Sequence, residues 1–304
     1  PIRGSYRGFE IWGMPPPSSG GVLVQQVLNM LEPFPLDQPQ TTRGDLFHMM
    51  IEAERRAYAD RAMHLGDADY YPVPVKKLID KGYAKTRFSD FNPSMASNSD
   101  EIGAGQWPAE SRETTHYSIM DNLGNAVSVT TTLNTAYGNK IVVEGAGFLL
   151  NNEMDDFSSK PGHANTYGLI GNKANSIAPN KRMLSSMSPT IVTFNKQPYL
   201  VTGSPGGSTI ITTTLQVLIN VIDRKMTLEN AVNSPRFHHQ WKPNKVFYEA
   251  GAFSDSEIEG LKSKKHVSII PSPWKIGDAN SVIKRDKRLI SVSDSRNQGG
   301  ALAY

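Results

Sequence analysis

The sequence changes character once, near residue 114, and this change limits the folds that the chain can adopt. Residues 43–67 carry apolar side chains at the i, i+3, i+4, i+7 spacing of a helix, at Leu46, Met49, Met50, Ala53 and Ala57. Residues 88–113 are polar, rich in Ser, Asn, Gly and Pro, and without periodicity, which is typical of a long, mobile, exposed linker. Short alternating runs follow, so a helical part is joined to a part built from strands.

Paired strand patterns dominate the second part of the chain. The runs "THYSIMD" and "AVSVTTTL" flank the turn "NLGN" and predict a β-hairpin. A second hairpin is predicted for "SPTIVTFNKQPYLVTGS", a further strand for "KIVVEGAGFLL", and two closing strands for "ANSVIKRD" and "RLISVSDS". Antiparallel hairpins with helices packed outside them indicate an α+β layered sandwich.

Helices are predicted on both sides of the linker. The turn "MPPPSSGG" leads into the run "VLVQQVLNMLE", where Ser18 or Ser19 could cap the helix. Helical patterns also follow in "STIITTTLQVLINVIDR" and "SDSEIEGLKSKK", while residues 1–13 resemble two strands with a turn.

Composition excludes several classes of function. The 304 residues carry a net charge of +3 spread along the chain, so neither nucleic acid nor a membrane surface is an expected partner. No apolar run approaches the ~18 residues of a membrane-spanning helix, so no stable membrane insertion is expected. The absence of cysteine removes disulfides and thiolate chemistry. The start at Pro1 without methionine suggests a fragment or a processed product.

Two threonines, Thr114 and Thr115, stand where the linker meets the first strand pattern. A threonine hydroxyl is a poor nucleophile unless a base takes its proton. If the chain is cut before Thr114, the new α-amino group, with an intrinsic pKa of about 7.7–8.0, can be that base. A linker that ends at Glu113 is a suitable neighbour for such a cut, because its new end must move away from the nucleophile.

Three other motifs have both a structural and a functional interpretation. Bare N–H groups in the turn "GSPGGS" could bind an anion, although such a turn is often only a turn. The carboxylates of "NNEMDD" could bind a metal or an ammonium group, but no calcium-loop pattern follows. His238 and His239 invite a zinc hypothesis, which is disfavoured because adjacent histidines project differently and no third ligand is near in sequence.

Several long phrases together resemble one known family, namely "TTHYS", "GNAVSVT", "LLNNEMDDFSSKPG", "NKRMLSSMSPTIV", "LVTGSPGGSTIITT" and "SPRFHHQW". Over essentially its whole length the chain resembles the γ-glutamyltransferase (γ-glutamyltranspeptidase) family of the N-terminal nucleophile hydrolases. The resemblance implies an αββα sandwich of two stacked antiparallel sheets flanked by helices. It also implies that residues 1–113 are the C-terminal part of a large subunit and that residues 114–304 are a complete small, catalytic subunit. Autocatalytic cleavage between Glu113 and Thr114 would yield a heterodimer.

The resemblance assigns the reacting groups. Thr114 would be the nucleophile, and Thr132 would hydrogen-bond and orient its hydroxyl, although without the resemblance Thr132 is an ordinary strand residue. Gly206 and Gly207 would form the oxyanion hole. Tyr167 would belong to a lid that excludes water from the pocket.

The resemblance also assigns the groups that bind the substrate. Asn134, Glu153 and Asp156 would bind the α-amino group. Ser185 and Ser186 would hydrogen-bond the α-carboxylate. The family adds an arginine from a part of the large subunit that precedes this sequence, so no residue here matches that role.

The expected activity is cleavage of the γ-glutamyl amide bond of glutathione and related γ-glutamyl compounds, followed by transfer to water or to an amino acid or peptide acceptor. No cofactor and no metal are expected, and the resemblance implies a periplasmic or secreted location. Two alternatives stay open. One is a related acylase of the cephalosporin or glutaryl type, which has no need for Asp156, and the other is an unprocessed, non-catalytic precursor fragment.

Overall fold

An antiparallel sheet of six strands forms the centre of the molecule. The computed structural model describes residues 1–103, 115–160, 172–285 and 288–302. In sheet order the strands are β1 (Ile2–Tyr6), β2 (Phe9–Gly13), β5 (Thr190–Phe194), β6 (Gln197–Thr202), β10 (Ser281–Arg285) and β11 (Arg288–Val292). The predicted hairpin β5–β6 and the two closing strands are confirmed.

A second layer lies on this sheet. It is the hairpin of β3 (Thr115–Met120) and β4 (Ala126–Thr131), which contacts β5, β6 and β10. Met120 packs against Val201 and Val282 of the central sheet, whereas Tyr117 and Ile119 on the other face are exposed. Three short strands, β7 (Phe237–His238), β8 (Val246–Tyr248) and β9 (Ile269–Pro271), form a separate sheet.

Helices cover the opposite side of the central sheet. They are α1 (Gly20–Leu31), α2 (Arg43–His64), α3 (Val75–Leu78), α4 (Lys81–Arg87), α5 (Thr209–Ile222), α6 (Leu228–Asn233) and α7 (Asp255–Ser263). Helix α1 contacts β1 and β2 as well as α2, α4 and α5, so it is buried along its whole length. None of the helices in the described ranges is long and apolar enough to cross a membrane. Helices, sheet and hairpin stack in the layers expected of the α+β sandwich.

Helix α2 buries more than the predicted apolar stripe. All five stripe residues are buried, but so are most charged residues of the helix. Glu52 forms ion pairs with Arg55 at 3.1 Å and Arg56 at 2.7 Å, and Asp60 pairs with Arg87 of α4 at 2.8 Å. Ion pairs inside the protein therefore compensate these buried charges in place of water.

The predicted linker is mostly exposed over residues 88–103, but two of its side chains are buried. Phe88 is buried and stacks on Phe91, with ring centroids 4.7 Å apart. Ser99 is also buried and hydrogen-bonds Arg55 of α2. Ser99 is buried because it supplies a partner for the buried charge of Arg55; residues 104–113 lie outside the described ranges.

The predicted strand over "KIVVEGAGFLL" is also wrong. The segment makes one isolated antiparallel bridge, between Val142 and Leu149, and forms no named strand. Gly145 and Gly147 both have a positive φ, so the chain reverses within the segment, and Val143 N donates to Phe148 O at 2.8 Å.

Candidate functional site

The site begins at the open end of the β3–β4 hairpin. Thr114 lies outside the described residues, and Thr115 is the first residue of β3, where it pairs with Thr131, the last residue of β4. Thr132 therefore follows the hairpin at the same end. Its Oγ1 accepts a hydrogen bond from Asn134 N at 2.8 Å, which fixes the turn that leaves β4.

Ser128 ties this hairpin to the central sheet. Its Oγ accepts from Thr190 N at 3.1 Å and donates to Thr202 O at 3.1 Å. Thr190 and Thr202 pair with each other at the start of β5 and the end of β6. Residues 184–188 ("LSSMS"), called the serine segment below, lead into β5. The turn "GSPGGS" leaves β6. Both therefore lie at the same end of the layers as Thr132.

The turn after β6 requires glycine. Gly206 has φ +126° and Gly207 has φ +59°, and a Cβ on Gly206 would lie 2.4 Å from Thr209 Oγ1. Gly206 O accepts from Thr209 N at 3.1 Å and from Thr209 Oγ1 at 2.7 Å, so the turn is fixed to the start of α5. Within the described chain neither glycine N–H donates a hydrogen bond, as an anion site requires.

Two buried carboxylates lie on the 3-10 turn Glu153–Asp156. Glu153 is 9% exposed and Asp156 is 6% exposed. Burial raises the pKa of the Glu153 carboxyl to about 7. Asn134 Nδ2 donates to Asn152 O at 3.1 Å, which places the amide beside this turn. Such an arrangement suits an ammonium group, which would compensate the buried negative charge.

A buried amide joins the acidic turn to the serine segment. Asn175 Nδ2 donates to Asp156 O at 2.6 Å, and Asn175 Oδ1 accepts from Leu184 N at 2.9 Å. Asn175 is fully buried, so solvent does not compete for these bonds. Sequence reasoning missed Asn175, because nothing in its local pattern shows that it links two distant segments.

The serine segment rests on the Pro-rich turn. Ser185 N donates to Pro17 O at 3.0 Å, and Ser185 O accepts from Ser19 N at 2.7 Å and Ser19 Oγ at 2.8 Å. Ser19 is the N-cap residue of α1, but its side chain makes no capping bond, because it binds Ser185 instead. Arg61 of α2 donates to Ser19 Oγ at 2.8 Å and to Ser186 Oγ at 3.3 Å.

A second residue that the sequence did not single out is His116. It is 3% exposed, and its ring packs so closely on Gly203 that a Cβ there would lie 2.4 Å from His116 Cε1. His116 Nδ1 lies 2.9 Å from Thr130 Oγ1, and burial lowers the pKa of the imidazole to about 4. A neutral histidine thus joins the first strand after the threonine pair to the glycine-rich turn.

The adjacent histidines, His238 and His239, make hydrogen bonds to neighbouring side chains. His238 Nδ1 lies 2.9 Å from Thr212 Oγ1, and its Nε2 lies 2.8 Å from Gln240 Oε1. His239 Nε2 lies 3.4 Å from Asn244 Oδ1. Both ring nitrogens of His238 are therefore engaged.

Another group, His48, Glu52 and His266, places potential ligand atoms within 4.8 Å of one another. His48 Nδ1 already lies 2.8 Å from His266 Nε2, and Glu52 is held by two arginines. Positive charges beside Glu52 disfavour a cation there, so this cluster is part of the hydrogen-bonded core.

The structure thus brings most of the predicted residues to one end of the layered fold, through direct bonds or through Ser128 and Asn175. They are Thr132, Asn134, Glu153, Asp156, Ser185, Ser186, Gly206 and Gly207. Thr114 and Tyr167 lie outside the described residues, and their roles stay predictions.

Solved structures with the same fold define the class. The chain resembles a γ-glutamyltranspeptidase structure from Pseudomonas nitroreducens in complex with L-DON, with 48% identity and a TM-score of 0.60 over 62% of this chain and 99% of that chain. It also superimposes on a cephalosporin acylase from Bacillus halodurans with a TM-score of 0.81 over 100% of this chain and 53% of that chain; at 23% identity this match shows the fold alone. The predicted sandwich of the N-terminal nucleophile hydrolases is confirmed.

The sequence comparisons give the family. The model of the gamma-glutamyltranspeptidase family matches residues 1–304. The glutathione hydrolase proenzyme of Escherichia coli (strain K12) is 48% identical over 299 residues, which cover 98% of this chain and 51% of the relative. The chain therefore belongs to the gamma-glutamyltranspeptidase family, and it spans about half the length of the curated relatives it matches.

Proposed function

We propose that this chain supplies the catalytic centre of an enzyme that cleaves γ-glutamyl amides such as glutathione. The observation that carries the proposal is the link through Asn175, which holds the buried acids of the turn Glu153–Asp156 next to the serine segment. An amino acid head group presents an ammonium and a carboxylate on one carbon. Paired acids beside paired hydroxyl donors match both charges.

In the proposed reaction, cleavage between Glu113 and Thr114 creates a threonine whose α-amine can act as its own base. The Thr114 hydroxyl adds to the γ-carbonyl while the amine takes its proton, and the N–H groups of Gly206 and Gly207 stabilise the oxyanion. Collapse breaks the amide bond, and the leaving amine receives the proton. Water or an amino acid or peptide acceptor then takes the γ-glutamyl group from Thr114.

The remaining roles complete this proposal. Thr132 would hydrogen-bond the nucleophile, because it leaves β4 directly after the residue that pairs with Thr115. Tyr167 would cover the bound substrate, and the two pieces would stay together as a heterodimer. A periplasmic or secreted location is proposed from the family resemblance.

The share of the chain matched by the Pseudomonas nitroreducens structure supports the cleavage point. Residues 114–304 make up about 63% of this sequence, close to the 62% that matches 99% of that chain.

N-terminal sequencing of the smaller piece of the full natural protein tests the proposed cleavage point, and Thr114 is the expected first residue. A Thr114→Ala variant should remain uncleaved and inactive. An intact wild-type chain would instead favour the non-catalytic precursor.

Substrate choice separates the proposal from the acylase alternative. Hydrolysis rates are compared for γ-glutamyl and glutaryl p-nitroanilide, which differ only by the α-amino group that Glu153 and Asp156 would bind. The γ-glutamyl compound should react much faster. Faster glutaryl cleavage would assign the chain to the acylase class.

A further inference from the structure

We propose that Arg61 of helix α2 is a positioning residue for recognition of the substrate's α-carboxylate, because it holds Ser185 and Ser186 in a donor-ready arrangement. The inference rests on the proposed function. Arg61 precedes the proposed cleavage point in the sequence, whereas both serines follow it.

Arg61 reaches the serine segment directly at Ser186 and indirectly through Ser19. The guanidinium belongs to a residue that is 1% exposed; its Nη2 donates to Ser186 Oγ at 3.3 Å and its Nε donates to Ser19 Oγ at 2.8 Å. Ser19 Oγ in turn donates to Ser185 O at 2.8 Å. One planar group therefore fixes the side chain of Ser186 directly and the backbone of Ser185 through Ser19.

These bonds determine where the hydroxyl protons are available. A serine hydroxyl carries one proton and two acceptor lone pairs. Ser186 Oγ accepts from Arg61, and Ser185 Oγ accepts from Met187 N at 3.1 Å. In the part of the chain that the structure describes, neither hydroxyl donates a hydrogen bond.

Both serines are nearly buried, with exposures of 8% for Ser185 and 4% for Ser186. Donors in such surroundings are costly when they lack an acceptor, and an acceptor that arrives with a ligand restores the lost free energy. A carboxylate supplies two acceptor oxygens, one for each hydroxyl. The Arg61 charge behind the serines adds Coulombic attraction in an interior where water screens little.

Lysine cannot reproduce this geometry. Its ammonium is a single point on a flexible stem, whereas the guanidinium presents several N–H donors in one fixed plane. A lysine at position 61 keeps the charge but reaches one of the two serine hydroxyls, Ser19 or Ser186, at a time. Arg61 precedes the proposed cut and the serine pair follows it, so carboxylate recognition would depend on both pieces remaining together.

The test compares two inhibitors that differ by the α-carboxylate. In the full natural protein, Arg61→Gln and Arg61→Lys are assayed with γ-glutamyl p-nitroanilide for kcat and KM. L-glutamate and 4-aminobutyrate, which lacks the α-carboxylate, are assayed as competitive inhibitors. For Arg61→Gln we expect KM and the L-glutamate inhibition constant to rise about tenfold, equivalent to about 1.4 kcal/mol. The constant for 4-aminobutyrate and kcat should stay nearly unchanged, and Arg61→Lys should be intermediate.

Arg87→Gln is the matched control, because Arg87 pairs with Asp60 of the same helix and makes no contact with Ser185 or Ser186. It should leave the ratio of the two inhibition constants at the wild-type value. Equal weakening of both inhibitors in the Arg61 variants would overturn the inference, since that result indicates a purely structural role.

If Arg61→Gln does not fold, Arg61→Lys and Ser19→Ala decide the question by the same ratio. A wild-type protein that does not discriminate L-glutamate from 4-aminobutyrate would overturn the proposed function together with this inference. A wild type that discriminates them, with variants that keep the wild-type ratio, would overturn the inference alone.

Discussion

Helix α2 and the segment of residues 133–157 bury the carboxyls of Glu52 and Glu153, and the pKa values of these two carboxyls are shifted in opposite directions. Burial alone would raise the pKa of Glu52, but the charges of Arg55 and Arg56 and a bond from Ser97 lower it to about 2. Burial raises the pKa of Glu153 to about 7, and no arginine offsets it. Helix α2 therefore supplies the partners that keep Glu52 ionised, whereas desolvation dominates at Glu153.

The two regions also differ in what they expose. Helix α2 is buried on nearly all sides, charged residues included. The segment instead exposes a series of large apolar side chains, namely Leu133, Tyr137, Ile141, Val142, Phe148, Leu150 and Met154. Polarity in the sequence therefore does not decide burial in these two regions. In α2, ion pairs allow charged side chains to be buried, whereas the apolar side chains of residues 133–157 have few neighbours to pack against.

The largest change in stability is expected when the ion pairs of Glu52 in α2 are broken. Glu52→Ala leaves Arg55 and Arg56 buried without their carboxylate, which costs about 3–5 kcal/mol in the free energy of unfolding. Urea denaturation measures it. Glu259→Ala is the control, because Glu259 pairs with Lys262 at the surface and contributes about 0–1 kcal/mol at most. Equal costs at the two sites would mean that the helix charges are solvated.

Acid should weaken the site region through His116. His116 has its pKa lowered by burial from 6.5 to about 4, so the native state binds fewer protons than the unfolded state between these values. This share of stability is present above pH 6.5 and is lost as the pH falls towards 4, about 2 kcal/mol of it by pH 5. Urea denaturation of the wild type and of His116→Gln, above pH 6.5 and at pH 5, measures this loss. The prediction is contradicted if the free energy of unfolding falls equally with pH in both proteins.

Helix α2 should also affect turnover, through Tyr58. Its hydroxyl donates to Ser208 O, directly after the glycine pair, and Ser208 Oγ donates to Gln240 Oε1 at 2.8 Å. Tyr58→Phe releases one side of the turn that contains Gly206 and Gly207, and if this turn binds the oxyanion as proposed, kcat should fall about tenfold with little change in KM. Tyr83→Phe is the control, because it removes a hydroxyl bond to Asp60 away from the turn. Equal kcat values in the two variants would exclude this role.

The sequence predicted the hairpins β3–β4 and β5–β6, because alternation and turn residues are local signals, whereas the candidate site residues came from the family resemblance. The sequence did not predict the burial of Ser99, because a serine gives the same local pattern whether its partner is water or Arg55. Arg61 and Asn175 were missed because no periodic signal links them to their partners. Ser19 and Ser186 lie 42 and 125 residues from Arg61, and Leu184 and Asp156 lie 9 and 19 residues from Asn175. Tertiary hydrogen bonds decided each of these positions.

Glu153 should control the pH dependence of substrate binding. Its pKa of about 7 means that the carboxyl is largely neutral below that pH, and the ionised form binds an ammonium better. KM for γ-glutamyl p-nitroanilide should therefore fall severalfold as the pH rises from 6 to 8, roughly the effect of one titrating group. Glu153→Gln should remove this change. If the variant keeps it, another group titrates.

The smallest effect is expected from one matched pair of substitutions. Ile51 of α2 is fully buried and Ile141 is 55% exposed, so Ile→Val removes the same methylene from opposite surroundings. Ile51→Val should cost about 0.5–1.5 kcal/mol and Ile141→Val less than about 0.5 kcal/mol, measured by urea denaturation. If the full natural protein shows equal costs at both positions, residue 141 is buried there, and the contrast in exposure between α2 and residues 133–157 belongs to the isolated chain alone.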